Sequence, residues 1–426
     1  MLQHLHIMGV GPSDDLELSF SGRVNILTGD NGLGKSFILD VAWWALTRQW
    51  PQKVNPAAGA GRMASPPYGQ SGEIRATVSG RTRSGITLQS TFDRKACAWP
   101  LPQGRPAKQG LVVYAMVDGS FAVWDPARNY SRNSSDEEPA PAFVFSPAEV
   151  WKGQERPDGT KTCNGLLDDM LYWMNEKGEA YARLEAALEA LSPPDEPLAI
   201  GGVENLMDND TRRYPCIRMP YKDNPDIPVA LVSSAIKRVL ALAYFLVWSW
   251  QEHCRACRKT GEQVTPDITV IIDEVEAHLH PRWQRNILSA LQCAVDKLTG
   301  CPNVQYIIST HSPLIMASCE DFFSPADSWL DIDLDNGNVV VAKKVFEKMG
   351  DATRWLLSDA FDMTSARSHS SQATLDAAMR LMQAPDFNPQ AVDAMHLELE
   401  KTLPSRDSFW LRWNFFREKN NYAPRP

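Results

Sequence analysis

Several features that would assign the chain to a large class of protein are missing from its sequence. Its most apolar run, residues 239–250, is about 12 residues long, which is too short for a helix that crosses a bilayer. The first ten residues lack the basic segment and apolar core of a secretory leader. Only 8 cysteines are spread over 426 residues, a pattern typical of reduced thiols in a cytosol. These absences predict a soluble, cytoplasmic protein with no membrane segment.

An excess of positive charge is also missing. The 43 Lys and Arg residues are outnumbered by 52 Asp and Glu residues, so the formal net charge is -9 at pH 7. The composition therefore does not indicate a nucleic-acid-binding protein, although it leaves a local basic patch open. We find no internal repeat and no heptad pattern long enough for a coiled coil. With 43% hydrophobic and 22% charged residues, the chain has the composition of a globular protein of two or three domains.

A glycine-rich loop near the N-terminus joins a predicted strand, residues 23–28, to a predicted helix, residues 37–49. The loop fits the phosphate-binding pattern G-x-x-x-x-G-K-[ST], in which backbone N–H groups and a helix N-terminus face phosphates. In such a loop the lysine reaches the β and γ phosphates and the hydroxyl binds Mg²⁺. We therefore predict that ATP is bound by Gly29, Asp30, Asn31, Gly32, Leu33, Gly34, Lys35, Ser36 and Phe37. Among these, Lys35 is also a catalytic candidate and Ser36 a Mg²⁺ ligand.

Two later strands are predicted to end in polar residues that suit phosphate chemistry. An apolar run at residues 268–272 leads into Asp273 and Glu274, and a run at residues 304–309 leads toward His311. Beside a P-loop, Asp273 is suited to hold Mg²⁺ and Glu274 to polarise an attacking water. The His311 imidazole is suited to contact the γ-phosphate. Strands and helices alternate in this half of the chain, which predicts a parallel sheet.

A turn of small residues opens a long apolar helix that is predicted from Ser233 to about residue 257. The start of this helix is a candidate anion site, because its first N–H groups have no partners within the helix. The same segment fits a plain serine N-cap equally well.

In this order, the P-loop, the serine-rich turn, the run Asp-Glu-x-Glu-x-x-Leu-His-Pro at residues 273–281 and the segment Ser-Thr-His-Ser-Pro at residues 309–313 resemble the ABC-type ATPases. More narrowly, the chain is similar to the AAA ATPases of the RecF-, SMC- and OLD-related branch. This branch includes stand-alone ATPases of bacterial anti-phage systems such as the PtuA component of Septu. The resemblance covers about residues 1–320 and is most specific in the Asp-Glu run.

The resemblance implies an α/β fold: a P-loop NTPase head of the ABC type with a mixed sheet core, an antiparallel β subdomain and an α-helical lobe. The expected parts are an N-terminal ATPase half at residues 1–150, a helical lobe at 151–230, a C-terminal ATPase half at 231–345 and a C-terminal helical region at 346–426.

For function, the resemblance implies two heads that sandwich ATP, with each P-loop facing the other subunit's signature. Ser233 would then contact the γ-phosphate of the partner's ATP, and residues 276–281 would form the D-loop. The expected protein is an ATP hydrolase that needs Mg²⁺ and forms a homodimer or higher oligomer through ATP. It would gate an effector subunit, a nuclease, in bacterial anti-phage defence. Ala235 departs from the family pattern, which usually has glycine there, and its methyl group would crowd the partner's ATP.

The sequence also fits other functions. One is a RecF-like head that clamps DNA during repair, and another is a nucleotide-locked scaffold with little hydrolysis, which Ala235 favours. Asp331 and Asp333 have the spacing of a nuclease metal site, but a hairpin at residues 336–337 explains them more simply. Two cysteines, 254 and 257, suit either zinc or a helix face. Three glutamines are candidates for the Q-loop of the family: Gln70, Gln89 and Gln154.

Overall fold

Strands and helices are distributed through the whole chain. The structure, a computed structural model, describes all residues except 80–84, 101–109, 130–139, 157, 210, 221–222, 302, 362, 385–387 and 421–426. The strands are β1 (Leu2–Met8), β2 (Asp15–Ser19), β3 (Val24–Gly29), β4 (Glu73–Val78), β5 (Ile86–Thr91), β6 (Leu111–Ala115), β7 (Phe121–Trp124), β8 (Phe143–Phe145), β9 (Gln154–Glu155), β10 (Lys161–Cys163), β11 (Ala199–Asn205), β12 (Arg213–Arg218), β13 (Asp226–Pro228), β14 (Asp267–Ile272), β15 (Asn303–Ser309), β16 (Ser328–Asp335) and β17 (Asn338–Lys344). The helices are α1 (Lys35–Thr47), α2 (Pro51–Val54), α3 (Pro147–Lys152), α4 (Gly165–Glu176), α5 (Glu179–Leu191), α6 (Ser234–Thr260), α7 (Pro281–Gln284), α8 (Ile287–Thr299), α9 (Pro313–Cys319), α10 (Ala352–Leu356), α11 (His369–Gln383), α12 (Pro389–Thr402) and α13 (Phe409–Lys419).

The largest sheet is mixed and has the strand order β17-β16-β3-β15-β14-β6-β7-β8. Strands β16, β3, β15, β14 and β6 run parallel to their neighbours in this group, and the strands at the two edges are antiparallel. The parallel strands are almost entirely buried, as expected for strands covered on both faces, and so they are continuous apolar runs. The mixed sheet confirms the predicted fold class. It also brings the C-terminal ends of β3, β15 and β14 together in that order.

A second, antiparallel sheet has the strand order β2-β1-β4-β5. Its strands alternate buried and exposed side chains, so one face packs inward and the other faces water. Helix α1 lies in the hydrophobic core that this face shares with the mixed sheet, and its Trp43 and Trp44 are fully buried there. Because α1 is buried on nearly all sides, its sequence has no strongly polar face.

The helical part of the chain differs from the prediction in two places. The apolar pattern over residues 165–191 predicts one continuous helix, but the structure has two, α4 and α5. Lys177 ends α4 with a positive φ of 53° and Gly178 is the N-cap of α5, so the chain turns at this point. The antiparallel sheet β11-β12-β13 was not predicted, because β11 contains two adjacent glycines and is largely accessible, and β13 has only three residues. Among the described helices, none is both long enough and apolar enough to cross a bilayer.

The chain divides into two compact units, Met1–Trp355 and Leu356–Pro426. The first contains both large sheets, and the second has its own small core around Trp413. In the first unit, the hairpin predicted at residues 336–337 is confirmed as the β16–β17 turn. Asp331 lies in β16, where it is buried and accepts a hydrogen bond from Thr28 Oγ1 at 2.6 Å. This aspartate therefore has a structural partner rather than an exposed position.

One buried glutamine connects the two sheets. Gln305 of β15 is fully buried; its Oε1 accepts from Leu2 N at 2.9 Å, and its Nε2 donates to Leu2 O and to Ser21 O, both at 2.7 Å. We predict that Gln305→Leu lowers the free energy of unfolding by on the order of 3 kcal/mol, because the buried N–H and carbonyl of Leu2 both lose this partner, whereas Ser21 O still accepts from Asn25 Nδ2. Urea unfolding followed by tryptophan fluorescence measures this change.

The control is Lys343→Ala, an exposed position in β17, which should change stability by less than about 0.5 kcal/mol. Equal unfolding midpoints for the two variants would contradict the prediction.

Candidate functional site

The glycine-rich loop connects β3 to α1, as predicted. Its three glycines have positive φ angles: 131° at Gly29, 83° at Gly32 and 94° at Gly34. A Cβ atom at Gly29 would lie 2.1 Å from the carbonyl oxygen of Ile332, and one at Gly34 would lie 2.5 Å from Pro12 Cγ. A Cβ at Gly32 would have no neighbour within 4 Å. Glycine is thus required at positions 29 and 34 by both packing and backbone angle, whereas at position 32 it is favoured by the backbone angle alone.

The start of α1 is free to bind an anion. Its N-cap residue is Gly34, and no side chain among the described residues caps the helix. By contrast, α6 and α9 are capped by Ser233 and Ser312. The first N–H groups of α1 therefore point out of the helix without a side-chain acceptor, next to the exposed Ser36. This is the arrangement that binds phosphate at a helix N-terminus.

The Lys35 side chain folds back over the loop. Its Nζ donates to the carbonyl oxygens of Gly29 at 2.7 Å and Asp30 at 2.8 Å, and only 5% of the residue is exposed. Burial lowers the pKa of Lys35, while the carboxylates of Glu274 and Asp273 act in the opposite direction. The ammonium group thus lies within the electrostatic reach of both predicted acidic residues.

A hydroxyl group fixes the acidic end of β14. Ser309 Oγ, at the end of the neighbouring strand β15, donates to Asp273 Oδ1 at 2.6 Å and accepts from Glu274 N at 2.8 Å. Asp273 is 1% exposed, whereas Glu274 is partly exposed and has a positive φ of 48°. The chain therefore turns sharply after the buried carboxylate, and the Glu274 side chain reaches solvent.

His311 lies beside this turn. Its Nε2 is 3.8 Å from Glu274 Oε1. Its backbone N–H donates to the Glu276 carboxylate, which also accepts from Thr310 Oγ1 at 2.8 Å. Burial, and secondly the charge of Lys35, lower the pKa of the His311 imidazole, so the ring is neutral at pH 7. Glu276 belongs to the predicted D-loop, and it holds the backbone that carries His311.

Not all of the predicted site residues meet within one chain. Ser233 is exposed at the start of α6, and its Oγ accepts from Ile236 N at 3.4 Å, which confirms the N-cap interpretation. No hydrogen bond between described residues connects Ser233 to the P-loop. The three Q-loop candidates also form no hydrogen bond with residues 29–36 in the described structure; Gln89, for example, donates to Glu73 at 3.1 Å.

Two polar residues of the site were missed in the sequence. Arg238 of α6 donates to the carbonyl oxygens of Asp273 at 3.2 Å and Met116 at 2.8 Å. Asp40 of α1 is buried and accepts from the Tyr114 hydroxyl at 2.9 Å. Asp40 is a single acidic residue inside an otherwise apolar helical run, and that contrast is the signal that could have identified it. Arg238 directly follows Lys237 near the start of α6, so its sequence offers no such contrast.

Of the two cysteines near the end of α6, Cys257 is buried and contacts a histidine. Cys257 is 1% exposed, and its Sγ lies 3.5 Å from His253 Nε2, while His253 Nδ1 lies 2.7 Å from Asp125 Oδ1. Across the described residues, no group of three or more His, Cys, Asp or Glu side chains is arranged to hold a metal ion. The zinc alternative therefore has no support from the geometry.

Two protein-family models match the chain. A model described as "AAA domain, putative AbiEii toxin, Type IV TA system" matches residues 130–317, and a model described as "AAA domain" matches residues 4–96. Together they include the P-loop, the acidic end of β14 and His311.

Three named relatives are similar in sequence. The retron Ec83 probable ATPase of Escherichia coli is 33% identical over 155 residues, which is 36% of this chain and 25% of that protein. The retron Vc95 probable ATPase of Vibrio cholerae serotype O1 biovar El Tor is 45% identical over 49 residues, 12% of this chain and 8% of that protein. The Septu protein PtuA of Bacillus thuringiensis is 22% identical over 342 residues, 74% of this chain and 72% of that protein. The matches to the two retron proteins thus span a quarter of their length or less.

One solved structure that matches this chain is the SMC head domain from Thermotoga maritima. It is 15% identical, the match covers 81% of this chain and 99% of that chain, and the TM-score is 0.39.

A P-loop between β3 and α1, an acidic end of β14 and a histidine after β15 are the parts of an ABC-type head, and the AAA models agree with this assignment. The chain is similar to ATPases of this type, and AAA-domain models match its residues 4–96 and 130–317. It is related to the retron ATPases and to the Septu protein PtuA.

The buried carboxyl of Asp40 makes stability depend on pH. Burial raises its pKa to about 7 from 3.8, against the opposing hydrogen bond from Tyr114. The folded protein therefore retains a proton that the unfolded chain has lost, and stability falls as the pH rises through this interval. We predict that the wild type loses on the order of 2 kcal/mol more than Asp40→Asn between about pH 5 and pH 7.

Urea unfolding of the ATP-free protein at several pH values measures this difference. Asp208→Asn, at an exposed position, is the control and should follow the wild type. Parallel curves for wild type and Asp40→Asn would contradict the prediction.

Proposed function

We propose that the chain binds and hydrolyses Mg-ATP at residues 29–37, that two heads join through ATP, and that the ATP state gates a partner effector, a nuclease, in bacterial anti-phage defence. The observation that carries the proposal is the meeting of Lys35, Asp273, Glu274 and His311 around the open start of α1.

The P-loop suits the phosphates of ATP. The N–H groups at the start of α1 would donate to phosphate oxygens, and the α1 dipole would favour their negative charge. The Lys35 ammonium now donates to two carbonyl oxygens of the loop, and it would exchange these partners for oxygens of the β and γ phosphates. Since the side chain is already held over the loop, little ordering is needed when the nucleotide binds.

Ser36 and Asp273 fit a bound Mg²⁺. Asp273 Oδ1 accepts from Ser309, and its Oδ2 has no hydrogen-bond partner among the described residues. With only a hydroxyl and one carboxylate from the protein, phosphate oxygens and waters would complete the coordination. Bound there, Mg²⁺ would neutralise charge on the β and γ phosphates.

Hydrolysis is assigned to Glu274 and His311. Glu274 would orient a water and accept its proton while the water oxygen bonds to the γ-phosphorus and the bond to the β–γ bridging oxygen breaks, which yields ADP and phosphate. The neutral His311 would donate a hydrogen bond to a γ-phosphate oxygen. Because His311 Nε2 is 3.8 Å from Glu274 Oε1, both side chains could act on the same phosphate group.

The dimer is inferred from Ser233, and the effector subunit is inferred from the resemblance to the ATPases of anti-phage systems. Ser233 is exposed at the N-terminus of α6 and does not contact its own P-loop, so a second head is the source of the phosphate that this helix end would bind. The role in defence rests on the names of the retron and Septu relatives.

Removing the Glu274 carboxylate separates ATP binding from hydrolysis. We predict that Glu274→Gln loses ATP turnover by about a hundredfold or more and accumulates as an ATP-bound dimer or larger assembly with Mg-ATP. Phosphate release and light scattering, with and without Mg-ATP, measure the two effects. Glu347→Gln removes the same charge from an exposed site and should behave as the wild type. Wild-type turnover in Glu274→Gln would remove this residue from the proposed mechanism.

The position of Ser233 allows a test of whether each ATP site is formed by the P-loop of one subunit and Ser233 of the other. Asp and Asn both cap helices well, so Ser233→Asp and Ser233→Asn should fold normally. Only the aspartate would repel the partner's phosphate, and we predict at least about a tenfold loss of turnover for that variant. Asn is the control for the loss of the hydroxyl.

Mixing Ser233→Asp with Lys35→Ala, each of which loses most of its turnover alone, should restore up to about one quarter of wild-type turnover. Random pairing makes half of the dimers mixed, and each mixed dimer has one intact site of two. If Ser233 serves only as an N-cap, Ser233→Asp will keep wild-type activity and mixing will restore nothing.

A further inference from the structure

A cavity that none of the residues assigned to ATP lines lies among the helices of the first unit. It has a volume of about 630 Å³ and is bounded by α4, α5 and α6. None of its described lining residues belongs to the segment 29–37, and neither Asp273, Glu274 nor His311 is among them. A cavity of this size accommodates a small organic molecule.

The wall of the cavity contains four arginines and four acidic residues, the latter being Asp169, Glu176, Glu179 and Glu252. Arg128 and Arg255 both bond to Glu252. Arg183 is paired with Glu179. The fourth arginine, Arg258, differs from these three: its Nε donates to the Cys254 carbonyl oxygen at 3.4 Å, and the part of the chain that the structure describes offers it no carboxylate.

The Arg258 guanidinium is therefore available to an anion. Arg183, whose partner is Glu179, and Arg258 both line the cavity together with Cys254. Glu252 is already shared by two arginines. Asp169 accepts hydrogen bonds from Asn164 and Tyr244, and burial raises its pKa, so it opposes an anion less than a free carboxylate does.

The other feature of the wall is aromatic. Trp173 and Trp248 are 7% and 8% exposed, and both line the cavity. Trp173 packs on Tyr244 with ring centroids 5.6 Å apart, and Trp248 meets Phe143 edge-on at 5.4 Å, so their rings are held in place before any ligand binds. Gln251 also lines the cavity, and its amide has no hydrogen-bond partner among the described residues. Fixed aromatic surfaces and an open amide suit a planar ring with polar edges.

We infer that this cavity is a second ligand site, for a planar aromatic ring that carries a phosphate, such as a nucleoside monophosphate. Arg258 binds the phosphate by charge-assisted hydrogen bonds, the tryptophans flank the ring, and Gln251 contacts its polar edge.

Equilibrium dialysis tests this site in a protein whose P-loop is disabled. Lys35→Ala is dialysed against labelled AMP, GMP, CMP and UMP, and adenosine and ribose 5-phosphate serve as competitors that carry the ring alone or the phosphate alone. We expect saturable binding of about one equivalent of at least one nucleotide per chain, with a Kd below about 1 mM. Each competitor should displace it at least about tenfold less well than the nucleotide itself.

Arg258→Ala in the Lys35→Ala background should weaken binding about tenfold or more, and Gln251→Ala should weaken it less. Arg258 is exposed, so its removal leaves the fold intact, and Arg412→Ala removes an equally exposed arginine as a control. The inference is overturned if none of the four nucleotides binds saturably, if Arg258→Ala binds as tightly as its parent, or if ribose 5-phosphate competes as well as the nucleotide. Because every protein in the test lacks Lys35, these outcomes are independent of the proposed ATPase mechanism.

Discussion

The hydrogen bonds of the Ser309 hydroxyl organise the whole site. Two parallel strands, β14 and β15, end at the same level of the sheet, and this one oxygen both donates to the Asp273 carboxylate and accepts the N–H of Glu274. The buried carboxylate is thereby oriented and the next residue is turned toward solvent. Two adjacent acidic residues of similar chemistry thus acquire different environments, one dry and fixed and the other open to water. Such a division suits a pair of carboxylates with two separate tasks.

The parallel sheet makes this arrangement possible because it aligns strand ends that are far apart in sequence. Val24–Gly29, Asp267–Ile272 and Asn303–Ser309 are neighbours only in the folded chain, and the three functional segments follow them directly. The burial of these strands on both faces holds the ends in register. Gln305, fully buried in the same β15, connects this frame to the antiparallel sheet, so the core that surrounds α1 and the site beside it belong to one packed body.

Much of this arrangement is predictable from the sequence, and the reasons are local. The central strands are uninterrupted apolar runs, and the P-loop is a contiguous pattern, so both are visible without a structure. The break between α4 and α5 is less obvious, because the apolar spacing continues on both sides of it. Its sequence signal is the polar stretch at residues 175–179, which contains Gly178 next to the left-handed Lys177. The Asp40–Tyr114 contact joins residues 74 positions apart, and no local pattern encodes such a pair. The proposed role of Ser233 cannot be predicted from local sequence either, because the phosphate that it would contact is bound to a second copy of the chain.

Gly29 and Gly34 of the P-loop are required by the fold itself, whereas other positions of the motif are required only by the chemistry. Position 29 is closed by the backbone of β16 and position 34 by the ring of Pro12, whereas nothing surrounds position 32. A descendant of this protein that had given up nucleotides would still need glycine at 29 and 34 to keep its sheet and its turn. At position 32 it could accept Asn or Asp, which tolerate a left-handed backbone. Position 32 is one of the variable positions of the pattern, so a change there is compatible with a retained or a lost activity. In such a lineage the earlier sign of a lost activity is a change at Lys35 or Ser36, which carry the chemistry and at which the fold does not require glycine.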